Sequence, residues 1–513
     1  MLRDDRIWIA QTEDGRNLFV EPSMACRHGL ITGATGSGKT VTLKVLAESF
    51  SDMGVPVFLA DVKGDLAGMC APGTDSEDMR ERIARFGLEE AGFSYRAFPT
   101  VFWDIYGNRG IPLRTTLTEM GPLLLARILD LNDLQAAILS IAFKIADDNG
   151  LLLIDTKDLK ALLNYIEENR KTLEPEYGRM SPASVAAILR AVVNLEIHGG
   201  EQFFGEPALN VRDWFSTDWT GKGIIQILDA ASLISDGKLY SSFLLWFLSE
   251  LFEVLPEVGD LEKPRMVFFF DEAHLLFKGI SPALLEKIIQ VVKLIRSKGV
   301  GVYFCTQNPR DIPNEVLAQL QNRIQHALYA YTPAEQKAVR AAAEGFRENP
   351  AFSTLEAILQ LGIGEAVVSF PDENGVPSMA ERVRILPPQS RMGAIDEELR
   401  DRTAKASLLH GKYAESVDQF SAYEFLMRRG AEAAAEAVLE EQKHPAAETA
   451  PAKKQSSSAF RQAAKSTGRS MAGTVGREVG QAVGSVFGKA GKRIGGNFGA
   501  ALGRGMFSTL FSK

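Results

Sequence analysis

The most constraining stretch of this 513-residue chain is Gly33-Ala34-Thr35-Gly36-Ser37-Gly38-Lys39-Thr40, which satisfies G-x-x-x-x-G-K-[ST] at every fixed position. Chance produces such a match in roughly 2% of chains of this length and composition. The setting narrows the reading further: GLIT (29–32) reads as a short apolar strand, and VTLKVLAESF (41–50) has helical periodicity. Between a strand and a helix, such a loop lets backbone N–H groups freed by glycine converge on phosphate oxygens. The helix N-terminus adds partial positive charge. Lys39 would neutralise β- and γ-phosphates, and the Thr40 hydroxyl would ligate Mg²⁺. Gly33 to Thr40 are therefore the expected nucleotide-binding residues, with ATP and Mg²⁺ as cofactors.

Further strands are expected at VPVFLA (55–60), TVFWDIY (100–106), GIIQIL (223–228), MVFFF (266–270), VGVYFCT (300–306), HALYAY (326–331) and EAVVSF (365–370). Helical patterns separate most of them. Near-continuous apolar strands alternating with helices predict an α/β fold, a mostly parallel sheet with helices on both faces. This core spans 1–390, and the helical stretch 116–200 reads as an insertion in it. A charged helical extension follows at 391–441, then a Pro/Ala/Ser linker at 442–458 that reads as unstructured.

The tail, 459–513, carries glycine at 476, 480, 484 and 488, then at 491, 495, 499 and 503, mostly after an apolar residue. On a helix this spacing draws a stripe of small residues along which another helix can approach. Each interior glycine costs about 1 kcal/mol relative to alanine. The tail therefore needs a partner helix or a bilayer, or else it is flexible. Charge divides the same way. From Pro451 to Lys513 there are eleven basic residues and one acid, Glu478, whereas the whole chain carries −8. An acidic body with a basic end suits contact with an anionic polymer or surface through that end.

Cys26, Cys70 and Cys305 are scattered, with no CxxC pair, which disfavours structural zinc and favours a reducing compartment. The N-terminus lacks a signal-like apolar stretch. The longest apolar run, 243–255, is too short to span a bilayer. A cytoplasmic protein is expected, peripheral to a membrane only through residues 459–513.

Four strand ends carry the chemistry. In MVFFFDEAH (266–274), Asp271 emerges at the carboxyl end of a buried strand, where α/β sheets bind ligands, and is placed to hold Mg²⁺. Glu272 beside it is placed to polarise an attacking water, which makes hydrolysis the expectation. His274 reads as a helix-start residue. Thr306, Gln307 and Asn308 end another strand, where a polar group can contact both γ-phosphate and water. Asp61, Lys63 and Asp65 end a fourth strand and have no assigned role. Arg296, Arg310 and Arg323 lie close to these strands, with Arg323 preferred as a charge-offsetting group supplied to a neighbouring subunit.

Taken together, GATGSGKT, ADVKGD, FFFDEAH and CTQNP followed by Arg323 resemble the HerA/FtsK superfamily of hexameric P-loop ATPases. The bacterial HerA-like proteins also carry a segment similar to FFGEPALNVRDW (203–214). The resemblance covers approximately residues 20–390 and implies a RecA-like P-loop core that assembles as a homo-oligomeric ring, with ATP at subunit interfaces. The family roles fall on Lys39 and Thr40 for phosphate and Mg²⁺, Asp271 for Mg²⁺, Glu272 as catalytic base, Gln307 as sensor and Arg323 as trans finger. The short segment before the phosphate loop leaves no room for the N-terminal barrel of HerA proper, which counts against a nuclease partner.

The leading expectation is an Mg²⁺-dependent ATPase acting as a DNA translocase or helicase-like motor. The alternative is a membrane-associated assembly or coupling ATPase that uses the basic glycine-repeat tail and does not act directly on DNA. A slow nucleotide switch is disfavoured by Glu272, since a switch has less need of a base there.

Overall fold

The computed structural model describes residues 1–231, 237–278 and 282–443. The expected linker from residue 444 on and the basic tail, with the DNA and membrane roles given to the tail, lie outside the described residues, while residues 442 and 443 end a helix. The strands are β1 (Leu2–Arg3), β2 (Arg6–Thr12), β3 (Asn17–Val20), β4 (Gly29–Thr32), β5 (Val57–Asp61), β6 (Thr100–Asp104) and β7 (Ile111–Pro112). They continue with β8 (Ile225–Asp229), β9 (Met266–Phe270), β10 (Val300–Thr306), β11 (Asn322–Gln325), β12 (Glu365–Ser369) and β13 (Glu381–Ile385).

All belong to one sheet of order β1-β2-β13-β12-β11-β4-β10-β9-β5-β8-β6-β7, with β3 paired to β2. From β11 to β7 every pairing is parallel. Every residue of β5, β6, β8, β9 and β10 is buried, as strands covered on both faces require. The fold is a RecA-like P-loop core.

The order of the central strands positions the site. Between β4 and β5 the chain runs through α1 (Lys39–Asp52), yet β10 and β9 are inserted between those two strands. The carboxyl ends of β4, β10, β9 and β5, with the motifs that follow them, therefore stand side by side. Inside α1, the buried Glu48 carboxylate accepts the backbone N–H groups of Gln389 (2.8 Å) and Ser390 (3.0 Å). The Lys44 ammonium donates to the Arg391 carbonyl. These bonds hold the segment after β13 against the helix that begins at the phosphate loop.

Two features depart from the sequence expectations. An antiparallel wing, β12, β13 and β2 with β1 and β3, continues the sheet, and its N-terminal strands have no strong local signal. β2 pairs locally with β1 and β3, and joins the main sheet only where Ala10–Thr12 meet Val383–Ile385, from the far side of the core sequence. The strand expected at 326–331 is instead β11, at Asn322–Gln325. Past it, the His326 N–H bonds Thr32 and the Ala327 carbonyl accepts from Ala34, so this segment braces the phosphate loop. Tyr329 and Tyr331 are exposed.

The chain divides into two compact units, Met1–Arg114 with Pro207–Glu415, and Thr115–Glu206 with the chain from Ser416 onward. The first contains the sheet and the helices Glu397–Ala406 and Leu408–Tyr413. The described residues of the second are mainly helical. Its helices Leu117–Ile128, Asp133–Asp148 and Thr156–Glu168 each start with a capping box, at Thr116/Glu119, Asn132/Gln135 and Asp155/Asp158. The Asp158 carboxylate also accepts from the Tyr423 N–H (2.8 Å) and the Ser421 hydroxyl (2.6 Å), which fixes the start of the helix Ala422–Lys443. Among the described residues no single helix is long and apolar enough to cross a membrane. One pair, Arg170–Tyr177 with Pro182–Ile197, meets those limits only across a 100° bend.

Candidate nucleotide site

The loop Gly33–Thr40 joins β4 to α1, and φ is positive at Gly33 (155°), Gly36 (78°) and Gly38 (117°). This alternation is the backbone geometry from which anion-binding nests are built, and it is strained for residues with a side chain. Space is also limiting: a Cβ on Gly33 would lie 2.6 Å from His326 Cβ and 2.7 Å from Ser37 Oγ. The loop is braced from outside by Ala34 N–H to Ala327 O (2.8 Å) and Gly364 N–H to Ser37 O (3.0 Å). The Lys39 ammonium lies over it, donating to the carbonyls of Gly33 (2.7 Å) and Ala34 (3.0 Å). Burial, and after it the nearby Lys63 charge, lowers its pKa. Beside the first turn of α1 opens a cleft of about 330 Å³, bordered by Gly38, Val41, Met79, Ile363 and Pro388.

Asp271 and Glu272 follow β9 directly. Glu272 holds φ at 49°, an uncommon conformation for a residue with a side chain and one that costs of order 1–3 kcal/mol. Its carboxylate is surrounded: Lys63 Nζ at 2.9 Å, Gln307 Nε2 at 3.3 Å and His274 Nδ1 at 3.3 Å. Burial pushes its pKa up, but the hydrogen bond and charge of Lys63, joined by Gln307 and His274, together leave it below the ordinary value. Asp271 differs. Burial first, and then the Glu272 charge, pushes its pKa up to about 6. Gln307, at the end of β10, also accepts at its Oε1 from the Thr35 hydroxyl (3.4 Å), so one amide spans from phosphate loop to acid.

Thr40 Oγ1 donates to Asp65 Oδ2 at 3.2 Å. Thr40, Asp65 and Asp271 offer hard oxygen donors of the kind Mg²⁺ takes together with water and nucleotide phosphate. Among the described residues no cluster of three or more His, Cys, Asp or Glu side chains could hold an ion by itself.

Comparison with known proteins gives the chain a family and a fold. The sequence profile of the helicase HerA-like C-terminal family matches residues 6–513. The chain belongs to this family. As a HerA-like chain it is a P-loop ATPase of the HerA/FtsK type. A probable helicase of Methanocaldococcus jannaschii is 28% identical over 144 residues, covering 28% of this chain and 26% of its own length. The match thus spans about a quarter of that curated relative. Among solved structures, the bacterial conjugative coupling protein TrwB, in its unbound monoclinic form, superposes with a TM-score of 0.51 at 14% identity. The match covers 77% of this chain and 92% of that one. TrwB in complex with a non-hydrolysable GTP analogue gives 0.50 at 14% identity, over 76% and 91% of the two chains.

The HerA-like chain brings together Gly33–Thr40, Asp271, Glu272 and Gln307, but it does not bring Arg323 to them. Arg323 sits in β11 opposite Leu30, short of the strand's carboxyl end. Its guanidinium donates to the carbonyls of Leu320 (3.1 Å), Gly345 (2.8 Å) and Leu317 (3.2 Å), and burial lowers its pKa. Arg323 is thus tied within its own chain, and a trans-finger role would require it to leave these three carbonyls. Arg296 precedes β10 and pairs with Asp260 at 3.1 Å, at the opposite strand end from the phosphate loop. Arg310 follows the carboxyl end of β10 and is exposed. Asn308 and Thr306 shape that turn, Asn308 Oδ1 accepting from the Arg310 N–H (3.0 Å) and Thr306 Oγ1 donating to Asp311 (3.3 Å).

Sequence reasoning missed His326 and left Lys63 and Asp65 without roles. His326 is fully buried behind the loop, with Nδ1 at 2.8 Å from the Glu365 carbonyl and Nε2 at 2.8 Å from Thr42 Oγ1. A carbonyl only accepts, so Nδ1 carries the proton and Nε2 accepts from Thr42. Burial pushes its pKa down to about 4. Nothing local in HALYAY signals this role.

Proposed function

We propose that this HerA-like ATPase hydrolyses ATP with Mg²⁺ as a ring-forming DNA translocase or helicase-like motor. The observation that carries hydrolysis is the Glu272 carboxylate, oriented by Gln307 whose other amide atom reaches Thr35. Phosphates would draw the Lys39 ammonium from the loop carbonyls, and the cleft beside Val41 is of a size to take the nucleoside. Thr40, Asp65 and Asp271 would hold Mg²⁺, which supplies charge neutralisation at the β- and γ-oxygens. Glu272 would accept the proton of the attacking water, while Gln307 holds that carboxylate in position. Arg310 replaces Arg323 as the candidate finger toward a neighbouring subunit. The name of the archaeal relative, a probable helicase, and that of TrwB, a conjugative coupling protein, support a motor that moves a polymer.

The test is steady-state ATP hydrolysis with and without single- or double-stranded DNA, at low and moderate salt, for the full chain and a chain ending at 456. Severalfold stimulation by DNA in both is expected. Turnover indifferent to DNA would remove the translocase reading in favour of the membrane-associated one. That reading requires liposome flotation that depends on the tail.

A further inference from the structure

The turn after β5 is built with more care than a connection needs. The Asp61 carboxylate accepts the N–H groups of Gly64 (2.7 Å) and Leu66 (3.1 Å), and Gly64 takes φ 77°, a conformation suited to glycine. The two residues flanking Gly64 engage different motifs. Asp65 accepts from the hydroxyl of Thr40, whereas the Lys63 ammonium is 2.9 Å from the Glu272 carboxylate. Glu272 is almost enclosed, with its side chain 8% exposed, while that of Lys63 is 43% exposed.

This pairing conflicts with the role of Glu272. A carboxylate with both oxygens engaged, Oε1 by Lys63 and Gln307 and Oε2 by His274, is poorly placed to hold an attacking water. For Glu272 to engage that water, Lys63 must have a better partner. A terminal phosphate is that partner, because it carries more negative charge than a carboxylate and Coulomb attraction scales with charge. Lys39, already assigned to phosphate, is held over the loop by the carbonyls of Gly33 and Ala34.

We propose that Lys63 is a γ-phosphate ligand, exchanging its Glu272 partner for the terminal phosphate of ATP and thereby freeing the base only when a triphosphate is present. The inference rests on the ATPase reading. It makes Lys63 a second cation of the phosphate site, supplied in cis from β5, and makes the Lys63–Glu272 pair a restraint that ADP cannot release.

Equilibrium binding of ATPγS and ADP to the full chain with Mg²⁺ tests it, using wild type, Lys63→Ala and Lys63→Arg. The expected result is a loss of about 10- to 100-fold in ATPγS affinity for Lys63→Ala, the range for a charged hydrogen bond. ADP affinity should change by less than about twofold, and Lys63→Arg should recover most of the ATPγS affinity. An equal loss for both nucleotides, or no loss for either, would overturn the γ-phosphate role and leave the ATPase reading standing. A wild-type chain that binds neither nucleotide would overturn both. Circular dichroism melting of Lys63→Ala and Lys63→Arg, run beside the binding, separates any loss of stability from leaving the enclosed Glu272 carboxylate without its ammonium from the nucleotide-selective loss of affinity.

Discussion

Gln307 Nε2 lies 3.3 Å from Glu272 Oε1 because β10 is inserted between β4 and β9, and no sequence separation between the two motifs would place them so. The strand that ends in Gln307 runs parallel to both neighbours, with Thr306 opposite Thr32 and Phe304 opposite Phe270. The amide is thereby delivered to the gap between phosphate loop and acid. A side chain in that gap can report on the terminal phosphate to the base.

Glu272→Gln should lower ATP turnover by about 10²- to 10⁴-fold, the range for a positioned general base, while ATP still binds. Lys39→Ala should lose both binding and turnover. Filter binding and phosphate release, measured side by side, separate the two.

Gln307→Ala should reduce kcat by about 10- to 100-fold with KM changed by less than about threefold. The amide orients a carboxylate that acts in the transition state and contributes little to holding the ground-state nucleotide. A KM rise at constant kcat would contradict this placement.

Arg323→Ala should act on stability. Three partly buried carbonyls lose their donor, at a cost of about 2–4 kcal/mol, and the thermal midpoint should fall by roughly 3–6 °C. Turnover per folded molecule should stay within about twofold. Arg310→Ala should do the reverse, lowering turnover at least about tenfold with an unchanged midpoint.

His326 should make the loop region acid-sensitive. Its folded pKa, about 4, lies below the ordinary value of 6.5. Between those values the unfolded chain binds the proton and the folded chain does not, so stability rises with pH across this window and is lost as pH falls through it. The stability difference between wild type and His326→Gln should therefore shrink as pH drops from 6.5 to 4, by up to about 3 kcal/mol. Denaturant titrations at several pH values measure it.

Much of the core was legible in the sequence for a physical reason. A strand buried on both faces must be apolar along its length, so MVFFF and VGVYFCT declare themselves. A phosphate loop must have glycine where φ is positive, so GATGSGKT does too. Asp271 and Glu272 follow such a strand directly, and their position at its carboxyl end is a local consequence.

Tertiary structure decided what depends on partners distant in sequence. Arg323 read as a free cation near a strand, and only packing against Leu317, Leu320 and Gly345 turned it into a tie. Lys63 and His326 acquire meaning from Glu272 and from Thr42 with Glu365, contacts fixed by strand order and by the course of the chain past β11. The sequence by itself determined that this chain folds around a phosphate loop with an acid at a neighbouring strand end, because backbone conformation and burial restrict those residue types locally. Which cation faces which acid was settled only by the strand order, because a charged side chain of the same type serves equally well as a surface group, a structural tie or a ligand until its neighbours are in place.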